Sequence, residues 1–434
     1  MNRTMKNSGI PWIGEIPSHW AIQRLQTQLF EINEKNSPVK TDFVLSLTNT
    51  RGVIPYTEKG DIGNKAKENH EEYKIAYPNT IVANSMNILI GSVGICNYYG
   101  CVSPVYYILK ERNEADLRFF NYLLSCQPFQ KHLRQYANGI LEIRLRLSCK
   151  DILQRSVPVP SYPEQQAIAD FLDKKCGEID EMVALQEKII EELKAYKQSV
   201  ISETVCRGLN PDVPIKDSGI EWVGQIPKHW EVKKVKYLAN EITKGSGITK
   251  EEVFPNGDTP CVRYGEIYSK YNTSFEECFS ATNLDIQSTP RFFTKGDILC
   301  AGTGELVEEI GKGVVYLGEK RCLAGGDIIV INHNQNPLFL NFALNSNYAQ
   351  TQKSRGKAKL KVVHISANEI GNVLIALPPK AEQEQISEYL SVKNNEIDAL
   401  ISLKQSKIDA LKEYKKSIIY EYITGKKEVP YGKS

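Results

Sequence analysis

Ser8-Gly9-Ile10-Pro11-Trp12-Ile13-Gly14-Glu15-Ile16-Pro17-Ser18-His19-Trp20 stands near the start of the chain. It returns as Ser218-Gly219-Ile220-Glu221-Trp222-Val223-Gly224-Gln225-Ile226-Pro227-Lys228-His229-Trp230. Nine of the thirteen positions are identical, among them both tryptophans, the histidine and the Ile-Pro pair. A second echo lies deeper in each half. Glu164-Gln165, Ile168, Ile179-Asp180, Tyr196-Lys197 and Ser199 are answered by Glu382-Gln383, Ile386, Ile397-Asp398, Tyr414-Lys415 and Ser417. The chain is therefore one unit written twice, and its function needs two similar surfaces on one polypeptide. Solenoid repeats run to about 20–50 residues, so a period this long excludes that architecture.

The bounds set by composition agree. A chain of 434 residues predicts two to four domains, each able to bury its own core. With 41% hydrophobic and 24% charged residues it reads as an ordinary soluble protein. No run of about 18 apolar residues appears, so no membrane span is expected. Met1 to Asn7 has no apolar stretch behind its charges, so no secretory signal is expected either. Ten cysteines lack Cys-x-x-Cys spacing, the closest pair being Cys96 and Cys101 with four residues between. Free thiols in a reducing cytoplasm are the expectation, rather than a disulfide framework or a zinc site. The net charge is only +2, so any nucleic-acid surface must be local. One basic locality exists: Lys353, Arg355, Lys357, Lys359 and Lys361 alternate with no acid among them.

Each unit divides into a mixed region, 1–160 or 211–378, and a helical tail, 161–210 or 379–427. In the first mixed region Phe43–Leu47, Thr80–Ala83 and Val102–Leu109 read as short strands, and Leu117–Tyr136 as a helix. In the second, Asp297–Cys300, Gly313–Leu317 and Asp327–Ile331 read as strands, followed by a helix over Leu338–Gln350. The fold class is α/β mixed, with strands too short for a doubly wound sheet. Ser161-Tyr162-Pro163-Glu164 has capping-box spacing with Pro in the first turn, which announces a helix. Leu172, Ile179, Val183, Ile190, Leu193 and Val200 then keep a coiled-coil rhythm, with Cys176-Gly177 as a candidate bend. Ile386, Leu390, Ile397, Ile401, Ile408, Leu411 and Ile418 repeat that rhythm in the second tail. At about 1.5 Å per residue each tail would run roughly 60 Å. The expectation is two similar α/β domains separated by two long antiparallel coiled-coil-like helices, a pseudo-twofold internal repeat. The plainer alternative is two amphipathic helices, each packed on its own domain.

Enzyme constellations are weak. Ala301-Gly302-Thr303-Gly304-Glu305 after a strand resembles the glycine turn of a nucleotide site. It lacks a third glycine at dinucleotide spacing, and a loop is the better reading. Pro211-Asp212 followed by Glu231-Val232-Lys233 fits a loose metal-nuclease pattern, but unit one has Ala21-Ile22-Gln23 there. Leu377-Pro378-Pro379-Lys380 lacks the flanking groups an amino-methyltransferase needs, no phosphate-loop motif occurs, and the six histidines form no ligand cluster. His19 and His229, beside tryptophans, read as packing residues.

What remains is binding chemistry. If extended, the run at 353–361 offers a phosphate-contacting edge through Arg355, Lys357, Lys359 and Lys361. Unit one offers Arg144 and Arg146 after Asn138-Gly139. Asn, Gln and Arg pair bidentately with adenine and guanine edges, and turn-rich segments carry them: Asn49-Thr50-Arg51-Gly52, Asn84-Ser85-Met86-Asn87 and Arg263-Tyr264-Gly265. The DNA-contacting candidates are thus Arg51, Asn84, Ser85, Asn87, Asn138, Arg144 and Arg146 in the first region. In the second they are Lys244, Ser246, Arg263, Tyr264, Thr303, Lys312, Arg355, Lys357, Lys359 and Lys361. Together they favour two loop-rich DNA readers held apart by a stiff spacer.

The pattern resembles the specificity subunit of Type I restriction-modification systems over nearly the whole chain. The openings at 8–20 and 218–230 carry the resemblance. So do the junctions Val157-Pro158-Val159-Pro160-Ser161-Tyr162-Pro163-Glu164-Gln165-Gln166-Ala167-Ile168 and Leu377-Pro378-Pro379-Lys380-Ala381-Glu382-Gln383-Glu384-Gln385-Ile386. Lys295-Gly296-Asp297-Ile298-Leu299, and Gly139-Ile140 ahead of Arg144-Leu145-Arg146, are similar to that family's target-recognition domains. The second junction lacks the serine of the capping box.

The resemblance implies a chain without catalysis, cofactor or metal of its own. Each target-recognition domain would read one half of a bipartite DNA site. The helices would fix the gap and dock two modification subunits, which bring S-adenosylmethionine and methylate adenine N6 after base flipping. Restriction subunits, translocase-nucleases using ATP and Mg2+, would then join. The competing readings are a single-chain nuclease or methyltransferase with duplicated recognition domains, and a repeat scaffold that binds only proteins. If the basic run contacts phosphates, neutralising Lys357, Lys359 and Lys361 weakens DNA binding by the complex. Unchanged affinity at low and high salt would remove that role.

Overall fold

The computed structural model describes residues 3–49, 51–60, 65–67, 69–137, 145–286, 289–357 and 362–429. Asn138, Arg144, Lys359 and Lys361 lie outside the described residues. The chain forms two compact units, one from residues 1–187 with 406–434, the other from 188–405. Each is built to the same plan.

In the first unit Met5–Asn7 pairs antiparallel with Glu15–Pro17, and the loop between them turns at Gly9 and Gly14. Both glycines have left-handed φ, +71° and +73°, as do Gly219 and Gly224 in the second unit, which accounts for their recurrence. Ala21–Arg24 pairs with Ser156–Val159, the strand that leads into the long central helix Tyr162–Arg207. Between these strands lies a four-stranded antiparallel sheet in the order Leu29–Ile32, Tyr106–Glu111, Thr80–Asn84, Val93–Cys96. The second unit repeats each step. Ile215–Asp217 pairs with Gln225–Pro227, and Glu231–Lys234 with Leu374–Leu377 ahead of the long helix Lys380–Ile423. Its main sheet runs Ala239–Lys244, Ile328–His333, Ile298–Ala301, Gly313–Tyr316, with Ser274–Phe275 added in parallel.

The two echoes noticed in the sequence meet in space. Trp20 and Trp230 are fully buried, as are Ile16 and Ile226. His19 Nε2 stands 3.0 Å from a Glu164 carboxylate oxygen, and Arg3 pairs with the same carboxylate. His229 Nε2 stands 2.6 Å from Glu382, whose other oxygen accepts from Trp230 Nε1 at 3.0 Å. The glutamines act in the same paired way. Gln165 accepts from the backbone N–H of Asp116 and donates to the Pro160 carbonyl. Gln383 accepts from Asn336 N–H and donates to the Pro378 carbonyl. Each Glu-Gln thus ties the start of a long helix to the opening motif and to the small helix that follows the sheet. His19 and His229 are therefore clasps rather than packing residues. Glu164 spends its carboxylate on Arg3 and His19 rather than on the capping box its spacing suggested.

Within each unit parts of the two long helices pack antiparallel. In the first, Leu172, Ile179 and Ile418 are buried in one core with the half-buried Val183 and Leu411. The rings of Phe171 and Tyr422 pack at a tilt with centroids 4.4 Å apart, and Asp180 pairs with Lys415 at 2.6 Å. Ile408 is buried there too. In the second, Ile386, Leu390, Ile201 and Val205 join that unit's core, Ile190 and Ile397 are buried, and Lys197 pairs with Asp398 at 2.7 Å. Leu193 and Ile401 are half-buried. Gly177 is helical, and the first long helix runs through it.

Several local expectations change. The helix expected over 117–136 breaks into Leu117–Ser125 and Gln127–Leu133, because Pro128 cannot continue a helix interior and begins a new one. The helix expected over 338–350 likewise breaks into Pro337–Leu344 and Asn347–Ser354, where the Ser346 side chain caps the second. Val102–Leu109 is two strand ends separated by a turn at Ser103–Val105. Thr303-Gly304, read as a loop, is a short strand paired with Val363-His364. The 353–361 run does not begin as an extended edge, since Lys353 sits on a helix.

Candidate nucleic-acid interface

Each unit carries a cleft where the turns after its short strands converge. The two clefts correspond in place only in part: both adjoin a parallel pairing, but residues 244–249 wall the second alone and residues 84–87 the first alone. Val44 bridges Cys101 in parallel in the first unit, and Cys261 pairs with Leu323 in parallel in the second.

The first cleft, of about 620 Å³, is lined by Asn49, Arg51, Tyr56, Lys59, Lys65, Asn84, Met86, Asn87, Ser103 and Tyr106, among others. It brings Arg51, Asn84 and Asn87 together. Arg51 rides the turn of the hairpin Leu45–Thr48/Gly52–Pro55, exposed, with Nη2 2.5 Å from the Glu58 carboxylate. Asn84 ends its strand buried, and its Oδ1 accepts from Met86 N–H at 3.0 Å, shaping the turn. Asn87 is exposed beside it. Ser85 is buried and its carbonyl accepts from Leu147 N–H, so it holds the wall rather than facing a ligand. Arg146, next to Leu147, is exposed but does not line this cleft.

The second cleft, of about 500 Å³, is lined by Lys244, Gly245, Gly247, Ile248, Thr249, Arg263, Tyr264, Gly325, Gly326 and Asp327. Three of the anticipated residues, Lys244, Arg263 and Tyr264, meet here. Lys244 reaches Asp327 at 3.4 Å, and Tyr264 is exposed. Four glycines form its walls. A Cβ on Gly245 would stand 2.1 Å from the Gly325 carbonyl oxygen, so only glycine permits this approach. Ser246 is buried, its Oγ donating to the Ala324 carbonyl at 3.2 Å, which pins the loop.

Other anticipated residues lie elsewhere. Thr303 is buried with Oγ1 3.0 Å from His364 Nδ1. Lys312 donates to the Tyr271 carbonyl at 3.3 Å in a separate cavity, where burial holds its pKa below the ordinary lysine value. Lys353 is buried, donates to the Gly311 carbonyl, and is pushed down to about 8 by burial. It is therefore no phosphate contact. Lys357 is spent on the His364 carbonyl at 2.6 Å and Glu369 at 2.7 Å, while Arg355 is exposed with its guanidinium 5.7 Å from the Trp222 ring. The sequence reading passed over Gly325-Gly326. Its signal was a Gly-Gly between two apolar runs, Cys322–Ala324 and Ile328–Ile331.

The nuclease pattern does not assemble. Glu231 and Lys233 pair with each other at 2.6 Å, and Asp212 lies exposed in a turn. Among the described residues no three His, Cys, Asp or Glu side chains are grouped to hold a metal. All ten cysteines are free, and nine are buried. Among the described residues no helix is long and apolar enough to cross a membrane.

Comparison with known proteins accounts for the doubled plan. The family described as the Type I restriction modification DNA specificity domain matches twice, over residues 17–195 and 227–424. The Type I restriction enzyme MjaVIII specificity subunit of Methanocaldococcus jannaschii is 26% identical over 401 residues, covering 88% of each chain. Two solved structures share the fold at 14% identity. One is from a study of complex assembly and conformational transition in the type I R-M system, with TM-score 0.71, covering 94% of this chain and 99% of that one. The other is the HsdS subunit of Thermoanaerobacter tengcongensis, with TM-score 0.52, covering 94% and 98%. With both halves matched, this chain belongs to the DNA specificity subunits of Type I restriction-modification systems, and it carries two recognition domains.

Proposed function

We propose that each cleft reads one half of a bipartite DNA site and that the chain itself performs no chemistry. The observation that carries this reading is the doubled cleft. Each gathers cations and hydrogen-bonding side chains on turns at one edge of a repeated frame, the arrangement in which base edges and phosphates are contacted. The basic residues are few, in keeping with a net charge of +2 and a local interface.

The long helices serve as the gap-setting and docking elements. Each unit exposes an apolar triplet on them: Met182, Leu185 and Tyr414 in the first, Leu400, Leu403 and Tyr196 in the second. The members correspond at a constant sequence offset, so two like surfaces are presented, and exposed apolar groups of this kind mark interaction sites. That duplication supports two copies of a modification subunit; S-adenosylmethionine would be bound there, and ATP and Mg2+ by restriction subunits. The cytoplasm, where DNA, S-adenosylmethionine and reduced thiols coexist, is the expected location.

The test uses the purified chain alone and with its modification subunits. The chain with plasmid, Mg2+ and S-adenosylmethionine yields neither cleavage nor methyl transfer, whereas the complex methylates. Cleavage or methylation by the chain alone would return the single-chain enzyme reading. In a shift assay, affinity of the complex falls steeply with salt, as counterion release requires. Salt-independent binding, or none, would point to a protein-only scaffold.

A further inference from the structure

Arg263 has a setting unlike that of the other cleft cations. It follows the strand Thr259–Val262, and its backbone N–H donates to Glu266 at 3.1 Å. Glu266 is buried and also accepts from Ser280 Oγ at 2.5 Å, so its carboxylate is fixed. That carboxylate lies 3.5 Å from Arg263 Nε, near enough for an ion pair but too long for a good hydrogen bond. Arg263 Nε is itself buried and has no hydrogen-bond partner. On the other side stands Gly325, where a Cβ would lie 3.3 Å from Arg263 Cα and 3.7 Å from its Cγ. The arginine stem is thus confined between a fixed carboxylate and a glycine, and the side chain lines the cleft beside Lys244 and Tyr264.

We propose that Arg263 reads a guanine in the half-site taken by the second unit, with Glu266 as its positioning residue. This rests on the reading that the cleft receives DNA. A guanidinium offers donors only, and although Nε is buried against Glu266, part of the Arg263 side chain remains exposed in the cleft, where its donors need acceptors. The guanine edge in the major groove presents two, O6 and N7. Adenine replaces O6 with an N6 donor, and pyrimidines present no such pair. Lys244, whose ammonium is a point charge already near Asp327, suits a phosphate instead.

The experiment uses the complex with its modification subunits and a duplex whose half-sites have been located by mapping methylated adenines. Each base pair of the second half-site is replaced in turn, and 7-deazaguanine is substituted at each guanine. One guanine is expected to show a loss of about tenfold to a hundredfold on replacement by adenine, and a loss on removal of N7. Arg263→Ala abolishes discrimination at that one position and leaves discrimination across the first half-site unchanged. Glu266→Gln weakens the discrimination partway. A second half-site without guanine, or full discrimination retained by Arg263→Ala at every guanine, would overturn the assignment. The 7-deazaguanine arm needs no altered protein, so a variant that fails to fold does not protect the proposal. A complex that binds no DNA would defeat the cleft reading itself.

Discussion

The two units share a frame and differ in what the frame holds. In both, an opening His-Trp motif is clasped by the Glu-Gln of a long helix, and the same four strands form the main sheet. The readers differ. The first unit presents Arg51 on a hairpin, while the second replaces that hairpin with the helix Tyr264–Ser269 and presents Arg263 just ahead of it. The cores differ as well. Leu133 is fully buried seven residues after Cys126, whereas Lys353 is buried seven residues after Ser346. Cys176 is buried on the first long helix, and at the corresponding turn of the second stands Asn394, buried with neither amide atom bonded. The repeat has therefore kept the residues that tie frame to helix and released those that face the clefts. Two different half-sites follow from that.

The largest expected effect tests whether the units stand on separate cores. Trp20→Ala removes a fully buried indole and should cost about 3–5 kcal/mol. Hydrogen exchange should lose protection through 3–187 while 188–405 stays protected. Equal loss in both would show that the frames are one cooperative body.

Next comes the buried lysine of the second unit, which stands where the first has Leu133. Burial lowers Lys353 from 10.5 to about 8. Between these values the unfolded chain holds a proton that the folded chain has lost, so stability rises with pH across that window. Relative to Lys353→Met, the native chain should gain on the order of 3 kcal/mol between pH 7 and pH 10.5. Parallel unfolding curves at both pH values would mean that the ammonium is not desolvated.

A smaller difference separates the two clasps. Glu382 accepts from Trp230 Nε1, whereas Trp20 Nε1 is buried without a partner. Glu382→Ala strands a buried indole N–H and should cost about 1–3 kcal/mol. Glu382→Gln keeps an acceptor and should cost less. Equal losses from both variants would put the clasp's strength in the histidine pair.

The smallest effect concerns Arg51, exposed and paired to Glu58. If it contacts a phosphate, Arg51→Ala lowers the magnitude of the salt slope of binding by about one and weakens all sequences alike. A change at one base position only would make it a base reader, like Arg263.

The frame was legible in the sequence because its residues must be particular ones. Positive-φ glycines, a buried tryptophan and a Glu-Gln pair leave little room for substitution, so they recur as words. The clefts were half legible. Arg51, Asn84, Arg263 and Tyr264 declared themselves as turn residues able to read bases, and the structure gathers them into the two clefts. At Lys353 the alternation of charge suggests an extended edge that the structure does not form there. A helix buries Lys353, and Glu369 claims Lys357. Long-range partners such as Glu266 and Gly325 for Arg263 carry no local signature.

The central claim is that this chain sets the sequence at which partner subunits act on DNA. Single-molecule sequencing of DNA from cells making the chain with its modification subunits tests it most directly. Modified adenines should fall in one motif of two unlike half-sites with a constant gap, and the motif should vanish without this chain. Modification that persists unchanged in its absence, or a motif with no gap, would contradict the account.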